Sequence, residues 1–206
     1  MSDHPIQCSC GQVRGTVSGT ASFNRCICYC RTCQAFAHFL GRADEILDAA
    51  GGSDITQTQP SRITIDQGME HIACMRLSEK GPLRWYTACC RTPIGNTAST
   101  CRLHFIGLLH NVFAEGGRHP NQSIGPVTAL VHTDGARTSP QPQARGLAGA
   151  IFRIGRMIAG ARLSGAYRKN PFFDTRQDLP IASPRVLSDG ERQELYACMD
   201  AASQNR

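Results

Sequence analysis

Cysteines are crowded into two short stretches near the start of this chain, at spacings that suit metal chemistry. Two lie in the first stretch and four in the second: Cys8, Cys10, Cys26, Cys28, Cys30 and Cys33. Thiols separated by one residue cannot close an unstrained disulfide with each other. As thiolates they can bind one ion, because short loops bring several sulfurs to a tetrahedral zinc at little entropic cost. We therefore predict metal binding.

The composition indicates a folded domain in a reducing compartment. The chain has 206 residues, of which 41% are hydrophobic, enough to bury a core without covalent staples. Eleven cysteines is an odd number, and the N-terminus lacks a basic region followed by an apolar run. We expect a cytoplasmic protein, where clustered cysteines are more often metal-binding or catalytic than disulfide-bonded.

The charge is strongly weighted toward arginine, with 20 Arg and 2 Lys against 16 acidic residues and a net charge of +6. Guanidinium groups suit acidic small molecules, since they bind carboxylates through two parallel hydrogen bonds. The arginines are scattered without a block of five, so nucleic-acid binding is not favoured. The longest uncharged apolar stretch, Leu103–Ala114, is too short to span a bilayer, and we predict no transmembrane segment.

The first half of the chain shows the alternation of β-strands. Apolar and polar residues alternate over 12–19, 62–66, 71–78 and 83–87. Turn residues at 79–82 join the last two segments into a hairpin, whose far end carries Cys89 and Cys90. A short helix is predicted over 43–48. The fold class is therefore mainly β.

The C-terminal part is of a different kind. A Pro/Gln linker at 139–143 marks a boundary, which gives a β domain over 1–138 and a linker with a helical extension over 139–206. Apolar residues at helical spacing predict an amphipathic helix from Leu147 to Ile158, which we expect to pack on the β domain rather than bind a membrane or a partner. Ser188 and Glu191 form a capping box before a last helix.

Three motifs in order carry a resemblance to a known family. They are Cys8-x-Cys10-Gly11, then Cys28-x-Cys30-x-x-Cys33, then a Lys-Gly hairpin followed by an aromatic pair and Cys90-x-Thr92-Pro93. Over residues 6–110 the chain resembles the glutathione-dependent formaldehyde-activating (GFA) family, which includes centromere protein V. The resemblance implies an Mss4-like (β-tent) fold of zinc-stitched sheets, to which this chain adds a C-terminal extension.

The resemblance implies one structural zinc, with Cys8, Cys10 and Cys90 as ligands. At the fourth position this chain has Thr87, and the neighbouring Cys89 is present instead. Adjacent residues of a strand point to opposite faces, so Cys89 and Cys90 can share an ion only if the backbone turns sharply between them. Three outcomes stay open: Cys89 replaces the missing ligand, another group completes the site, or the site is empty.

The second zinc implied by the resemblance has Cys28, Cys30 and Cys33 as ligands and an open position, as expected of a catalytic ion. Cys26 could close the site as a fourth sulfur, since it lies on the same strand face as Cys28; we favour the open site. We thus expect one or two zinc ions.

The implied activity is that of a zinc-dependent carbon–sulfur lyase, which joins formaldehyde to the small thiol glutathione. Arg25 and Arg31 could bind the carboxylates of glutathione or be solvated surface charges. Should the 170–184 segment cover the zinc loop, only a smaller thiol or aldehyde would enter. The alternative is a zinc-stabilised module without turnover. Cys74, Cys101 and Cys198 have no ligand-like neighbours, and we expect core or surface thiols there.

Overall fold

The computed structural model describes residues 3–19, 23–114 and 124–204, and β-strands dominate them. The strands are β1 (Asp3–Gln7), β2 (Arg14–Ser18), β3 (Asn24–Cys28), β4 (Ser53–Thr58), β5 (Ile63–Gln67), β6 (Ile72–Arg76), β7 (Leu83–Thr87), β8 (Pro93–Thr97), β9 (Ile106–Leu109), β10 (Ala129–Val131), β11 (Phe173–Asp174), β12 (Leu179–Pro180) and β13 (Arg185–Val186). The predicted mainly-β class is confirmed, as is the hairpin of β6 and β7, which pair antiparallel.

Four α-helices complete the described elements, together with short 3-10 turns. The helices are α1 (Arg31–Phe39), α2 (Ala43–Ile46), α3 (Leu147–Ser164) and α4 (Asp189–Gln204). The 3-10 turns are Pro60–Arg62, Met69–His71, His110–Val112, Thr133–Gly135 and Ala166–Arg168. The predicted short helix corresponds to α2 and the amphipathic helix to α3. No helix in the described ranges is long and apolar enough to cross a membrane.

Most strands belong to one eight-stranded sheet in the order β10-β3-β4-β9-β8-β7-β6-β13. Its two edge strands, β10 and β13, pair in parallel with β3 and β6, and the inner pairs are antiparallel. A three-stranded sheet has the order β1-β2-β5, and β11 pairs with β12. The segment after residue 139 therefore adds strand β13 to the main sheet as well as helices.

The two faces of the main sheet bury different partners, because successive side chains of a strand point to opposite sides. Trp85 is fully buried on one face, in a core shared with Ile6 and Val17 of the small sheet. Arg84 precedes it in sequence and lies over the ring of Phe36 in α1. The face opposite Trp85 is thus the one that α1 covers.

The C-terminal part is divided between these faces. Phe172 packs on the Trp85 ring, with the ring centroids 5.1 Å apart, so the 170–184 segment covers the Trp85 face. Helix α3 packs through Ala150 on a group that includes Cys26 and Cys28. Helix α4 lies against α1, where Met199 is buried.

The predicted capping box at the start of α4 is confirmed. The backbone N–H of Ser188 donates to a carboxylate oxygen of Glu191 at 2.8 Å, and the N–H of Glu191 donates to the Ser188 hydroxyl at 3.3 Å. These reciprocal bonds satisfy two of the backbone donors that a helix N-terminus leaves without partners. The capping box thus fixes where helix α4 begins.

Candidate metal centres

Two loops far apart in sequence bring four cysteine sulfurs together. Cys8 and Cys10 lie between β1 and β2, and Cys89 and Cys90 lie between β7 and β8. All four Sγ atoms, here called the four-sulfur centre, lie within 4.8 Å of one another. Individual separations are 3.5 Å for Cys8–Cys10, 3.4 Å for Cys10–Cys89, 3.9 Å for Cys8–Cys89 and 3.8 Å for Cys89–Cys90. Tetrahedral zinc with sulfur ligands needs about 3.8 Å between sulfurs, so the set fits one ion.

Backbone hydrogen bonds in the β1–β2 turn position the Cys8 sulfur. The N–H of Cys8 donates to the carbonyl of Val13 at 3.0 Å, and the N–H of Val13 donates to the Cys8 sulfur at 3.2 Å. Gly11 has a φ of +76°, in the left-handed region that glycine enters without strain. These two bonds hold the Cys8 sulfur in place at the turn.

The β7–β8 turn explains how Cys89 can serve as a ligand where the family pattern has a cysteine and this chain has Thr87. The N–H of Arg91 donates to the carbonyl of Thr87 at 2.8 Å, and Arg91 itself has a φ of +57°. This tight turn lets the adjacent residues Cys89 and Cys90 direct their sulfurs to one point. Thr87 stays beside the centre, with its hydroxyl 3.3 Å from the Cys90 sulfur. Cys89 therefore takes the place among the sulfurs that Thr87 leaves open.

Cys90 and Cys89 differ in their electrostatic surroundings. Burial raises the pKa of the Cys90 thiol, but hydroxyl contacts from Ser9, Thr87 and Thr92 outweigh it and lower the pKa to about 4. Burial, followed by the neighbouring Cys10, raises the pKa of Cys89 to about 12. Cys90 therefore favours the thiolate form more strongly than its neighbour Cys89.

Arg42 forms hydrogen bonds to both loops. No motif in the sequence indicated that it would lie at this site. Its Nη1 donates to the Ser9 hydroxyl at 2.8 Å and to the Cys90 carbonyl at 2.9 Å. The guanidinium also pairs with Glu45 in the first turn of α2. Arg42 therefore fixes the distance between the loops and places a positive charge near the four-sulfur centre.

The second group forms where β3 ends and α1 begins. Cys28 closes β3, Cys30 is the N-cap of α1 and Cys33 lies in the first helical turn. Their Sγ atoms, here called the three-sulfur centre, lie within 4.8 Å of one another, with Cys28 and Cys33 3.9 Å apart. The positive end of the α1 dipole stabilises negative charge at this position. The three sulfurs come together because a strand, a short loop and the start of a helix follow one another within a few residues.

The three thiols share protons unequally. Contacts with the sulfurs of Cys28 and Cys33 lower the pKa of Cys30, and contacts with Cys30 and Cys33 raise that of Cys28. The hydroxyl of Thr32 lies 3.3 Å from the Cys30 sulfur and adds to the lowering. The group therefore holds a thiolate at Cys30 in preference to Cys28.

Cys26 lies outside the three-sulfur centre. It is buried, and the side-chain amide of Gln57 lies 3.5 Å from its sulfur. Burial, and then the charges of Cys33 and Asp54, raise the pKa of Cys26 to about 12. The described residues thus gather three sulfurs at this centre rather than four.

A buried arginine that forms no ion pair with a carboxylate of the described residues lies beside the same centre. Arg84 is 2% exposed, and its Nη1 donates to Asn96 Oδ1 at 3.1 Å while its Nε has no partner in the described structure. At the Cys33 thiol, contact with Cys28 lowers the pKa, while contact with Cys30 and burial raise it; the charge of Arg84 acts in the lowering direction, and the net pKa is raised. An unpaired buried charge is costly, so Arg84 needs an anionic neighbour.

The arginines proposed to bind a substrate carboxylate are otherwise engaged. Arg25 is 5% exposed and bound to the carboxylate of Asp54, so it is not available to a ligand. Arg31 follows Cys30 and forms an exposed ion pair with Asp200 of α4 at 2.7 Å. The guanidinium of Arg31 also lies over the Tyr196 ring. Helix α4 therefore restrains the side chain next to the three-sulfur centre.

The remaining cysteines lie as expected. Cys74 and Cys101 are buried and Cys198 is exposed, and none belongs to either group of sulfurs in the described structure. His104 is fully buried and accepts the N–H of Ser61 at 3.3 Å. The segment over 170–184 packs against Trp85, on the sheet face opposite Arg84, and so does not narrow access to the three-sulfur centre.

Comparisons with known proteins identify a family but no activity. No curated protein matches the chain. A crystal structure of a Rhodobacter sphaeroides protein, a Northeast Structural Genomics target, is similar at a TM-score of 0.39 and 18% identity and covers 60% of this chain and 96% of its own. The sequence profile of a family of unknown function, DUF6151, matches residues 1–182, a range that holds every cysteine of both centres. The chain belongs to the DUF6151 family.

Proposed function

We propose that the chain is a zinc protein with two ions in different roles. The four-sulfur centre would hold a structural ion through Cys8, Cys10, Cys89 and Cys90, and the three-sulfur centre would hold a reactive ion through Cys28, Cys30 and Cys33. Thiolate sets of this size are typical of zinc, which has no geometric preference of its own and accepts tetrahedral sulfur ligation. Four protein ligands close a site, whereas three leave room for a substrate.

The placement of Cys26 is the observation that carries the reactive role. Its sulfur lies near the side-chain amide of Gln57, outside the group that Cys28, Cys30 and Cys33 form. A fourth protein sulfur would exclude a substrate thiol. The position of Cys26 outside the group supports the open position that the family resemblance implies.

Arg84 supports a negatively charged centre at the same place. Three thiolates around a divalent ion carry a net charge of −1, and a substrate thiolate would add to it. A guanidinium 2% exposed, with one nitrogen left without a partner, is suited to balance that charge. The other arginine buried in the sheet, Arg25, has the carboxylate of Asp54 instead.

We propose a reaction of the GFA type on a thiol–aldehyde adduct, within a fold related to the Mss4-like proteins. A substrate thiolate sulfur forms a bond to the aldehyde carbon, the π electrons of the carbonyl move to oxygen, and that oxygen takes a proton from water. The reverse step breaks the same carbon–sulfur bond. Bound zinc would lower the pKa of the substrate thiol and polarise the aldehyde.

The residues of the chain contribute position and charge. The N-terminus of α1 and the guanidinium of Arg84 both favour negative charge at the three-sulfur centre. Cys26 leaves the open position to the substrate. Glutathione is the thiol that the resemblance suggests, but Arg25 cannot be the residue that binds its carboxylates, because Asp54 occupies it.

Cobalt substitution tests the open position. Titrating glutathione into the cobalt-loaded protein should shift the absorption bands, because a fourth thiolate would join the ion. Cys33→Ser should reduce the rate of formaldehyde consumption with glutathione to the uncatalysed rate, whereas Cys198→Ser, which changes a cysteine outside both centres, should keep the native rate. Bands that no thiol shifts, together with a change on Cys26→Ala, would mean a closed shell and would contradict the proposal.

A zinc-stabilised module without turnover is the second candidate. The four-sulfur centre favours it, since closed sulfur sites generally serve the fold. Normal zinc content, combined with no acceleration of any thiol–aldehyde reaction over its uncatalysed rate, would support this alternative over the lyase.

A further inference from the structure

Helix α3 presents large apolar side chains to solvent. Ile151 is 59% exposed, Phe152 68% and Leu163 91%. At 3.6 residues per turn these three side chains fall within an arc of about 120° on one side of the helix. The side chains that α3 buries, Ala150 and Ala161, lie on the other side, toward the sheet. The expectation that the apolar stripe packs on the β domain therefore holds for only part of the helix.

The whole net charge of the chain is concentrated around the same helix. Residues 138–173 contain six basic residues and no acidic one, and the remaining residues have 16 basic against 16 acidic. The six basic residues are Arg145, Arg153, Arg156, Arg162, Arg168 and Lys169. In the described structure none of them pairs with a carboxylate, and Arg153 donates only to the neutral side chains of Asn24 and Thr128. Arg162 and Arg168 lie over the ring of Tyr167, but no described carboxylate neutralises the charge of the six residues.

We infer that α3 is a docking surface for an anionic lipid membrane, on which the helix lies parallel to the bilayer plane. A lipid interface accepts both features at once: acyl chains take up the apolar arc, and headgroup phosphates pair with Arg156 and Arg162, which lie near its two ends. Arg156 lies at one edge of that arc, next to Leu163 around the helix. Arginine stems can also lie along the apolar surface while the guanidinium reaches the phosphates.

Other occupants fit the surface less well. Nucleic acid would use the basic residues but leave Ile151, Phe152 and Leu163 in water. A second copy of this chain would bury the apolar arc but bring two unneutralised basic segments together. An anionic lipid surface satisfies the charges and the apolar side chains together, and it requires no helix that spans the bilayer.

The metal centres should be unaffected by this docking. Ala150, on the buried side of α3, belongs to the group that packs against Cys26 and Cys28, whereas Phe152 points to the exposed side. Substitutions of Phe152 or Arg156 should therefore leave zinc content unchanged. This separates the docking proposal from the proposed zinc chemistry, on which it does not depend.

Vesicle co-sedimentation of the full-length, metal-loaded chain tests the inference. We expect binding to phosphatidylcholine vesicles that contain phosphatidylglycerol, little binding to phosphatidylcholine alone, and loss of binding at high salt. Phe152→Ser should weaken binding about tenfold, and Arg156→Glu at least fivefold, since one basic residue near such a surface contributes about 1 kcal/mol. Leu179→Ser is the matched control, because Leu179 is 54% exposed on the β11–β12 hairpin.

Several outcomes would overturn the inference. Equal binding to both vesicle types, no binding to either, or an equal effect of Leu179→Ser would each contradict an anionic lipid surface. Sedimentation equilibrium distinguishes self-association: a dimer that Phe152→Ser abolishes would assign the face to a second copy. Binding to DNA at the same salt concentration, without binding to vesicles, would assign it to nucleic acid.

Discussion

Arg84, on strand β7 of the main sheet, places a buried positive charge beside the three-sulfur centre. If its counter-charge is the metal–thiolate group, Arg84→Met should lower the free energy of unfolding of the zinc-loaded protein by about 3 kcal/mol. In a background where Cys28, Cys30 and Cys33 are all serine, the buried charge has lost its partner. There the same change should be neutral or stabilising. Urea unfolding of the four proteins measures this coupling.

Arg25→Met supplies the control for that comparison. Arg25 is also buried, but its counter-charge is Asp54, so its loss should destabilise the protein equally with and without the three cysteines. Equal effects of Arg84→Met in both backgrounds would show that Arg84 does not balance the thiolates.

His104 gives a prediction for the dependence of stability on pH. Burial lowers its pKa to about 4, and its Nε2 accepts a backbone N–H, so the native state holds it neutral. The unfolded chain, with the ordinary histidine pKa of about 6.5, binds the proton first as pH falls. The free energy of unfolding should therefore decrease between about pH 6.5 and pH 4, by about 2 kcal/mol more than in His104→Gln. Parallel pH profiles for the two proteins would contradict this assignment.

At the scale of elements, the start of α4 depends on its capping box. Ser188→Ala removes the acceptor for the Glu191 N–H and should destabilise the first turn of α4 by about 1 kcal/mol. Amide hydrogen exchange of residues 189–193 should accelerate, while exchange in α1 changes little. Glu194→Ala, one turn further along the exposed side, is the control and should leave those rates unchanged. Similar rates for Ser188→Ala and the native chain would mean that tertiary contacts alone fix this helix.

Individual strands and helices could be predicted from the sequence more readily than the way they pack together. The alternation in 62–66 and 71–78 predicted β5 and β6, and the pair Ser188 and Glu191 predicted the start of α4, because these are local patterns. Strand β10 pairs with β3, and β13 pairs with β6. These strands are far apart in sequence, and no local residue pattern predicts their pairing. The sequence alone also could not show which side of α3 is exposed, because this depends on the elements that pack against the helix.

At the scale of the whole molecule, the fold brings distant cysteines together at two places. The three-sulfur centre could be anticipated, since Cys28, Cys30 and Cys33 are close in sequence. The partnership of Cys10 with Cys89 could not be settled, because it depends on the turn after β7 and on Arg42, which bridges the two loops. Arg84 could not be identified for the same reason: its significance lies in its burial and in an Nε that has no hydrogen-bond partner among the described residues, and both depend on packing.

The zinc content of the purified chain tests the central claim most directly. Elemental analysis should find two zinc ions per chain in the native protein, and one each in Cys30→Ser and Cys10→Ser, because each change opens one of the two centres. Cys198→Ser should retain both ions. A native protein without zinc, or a Cys30→Ser variant that keeps the native zinc content, would contradict the account.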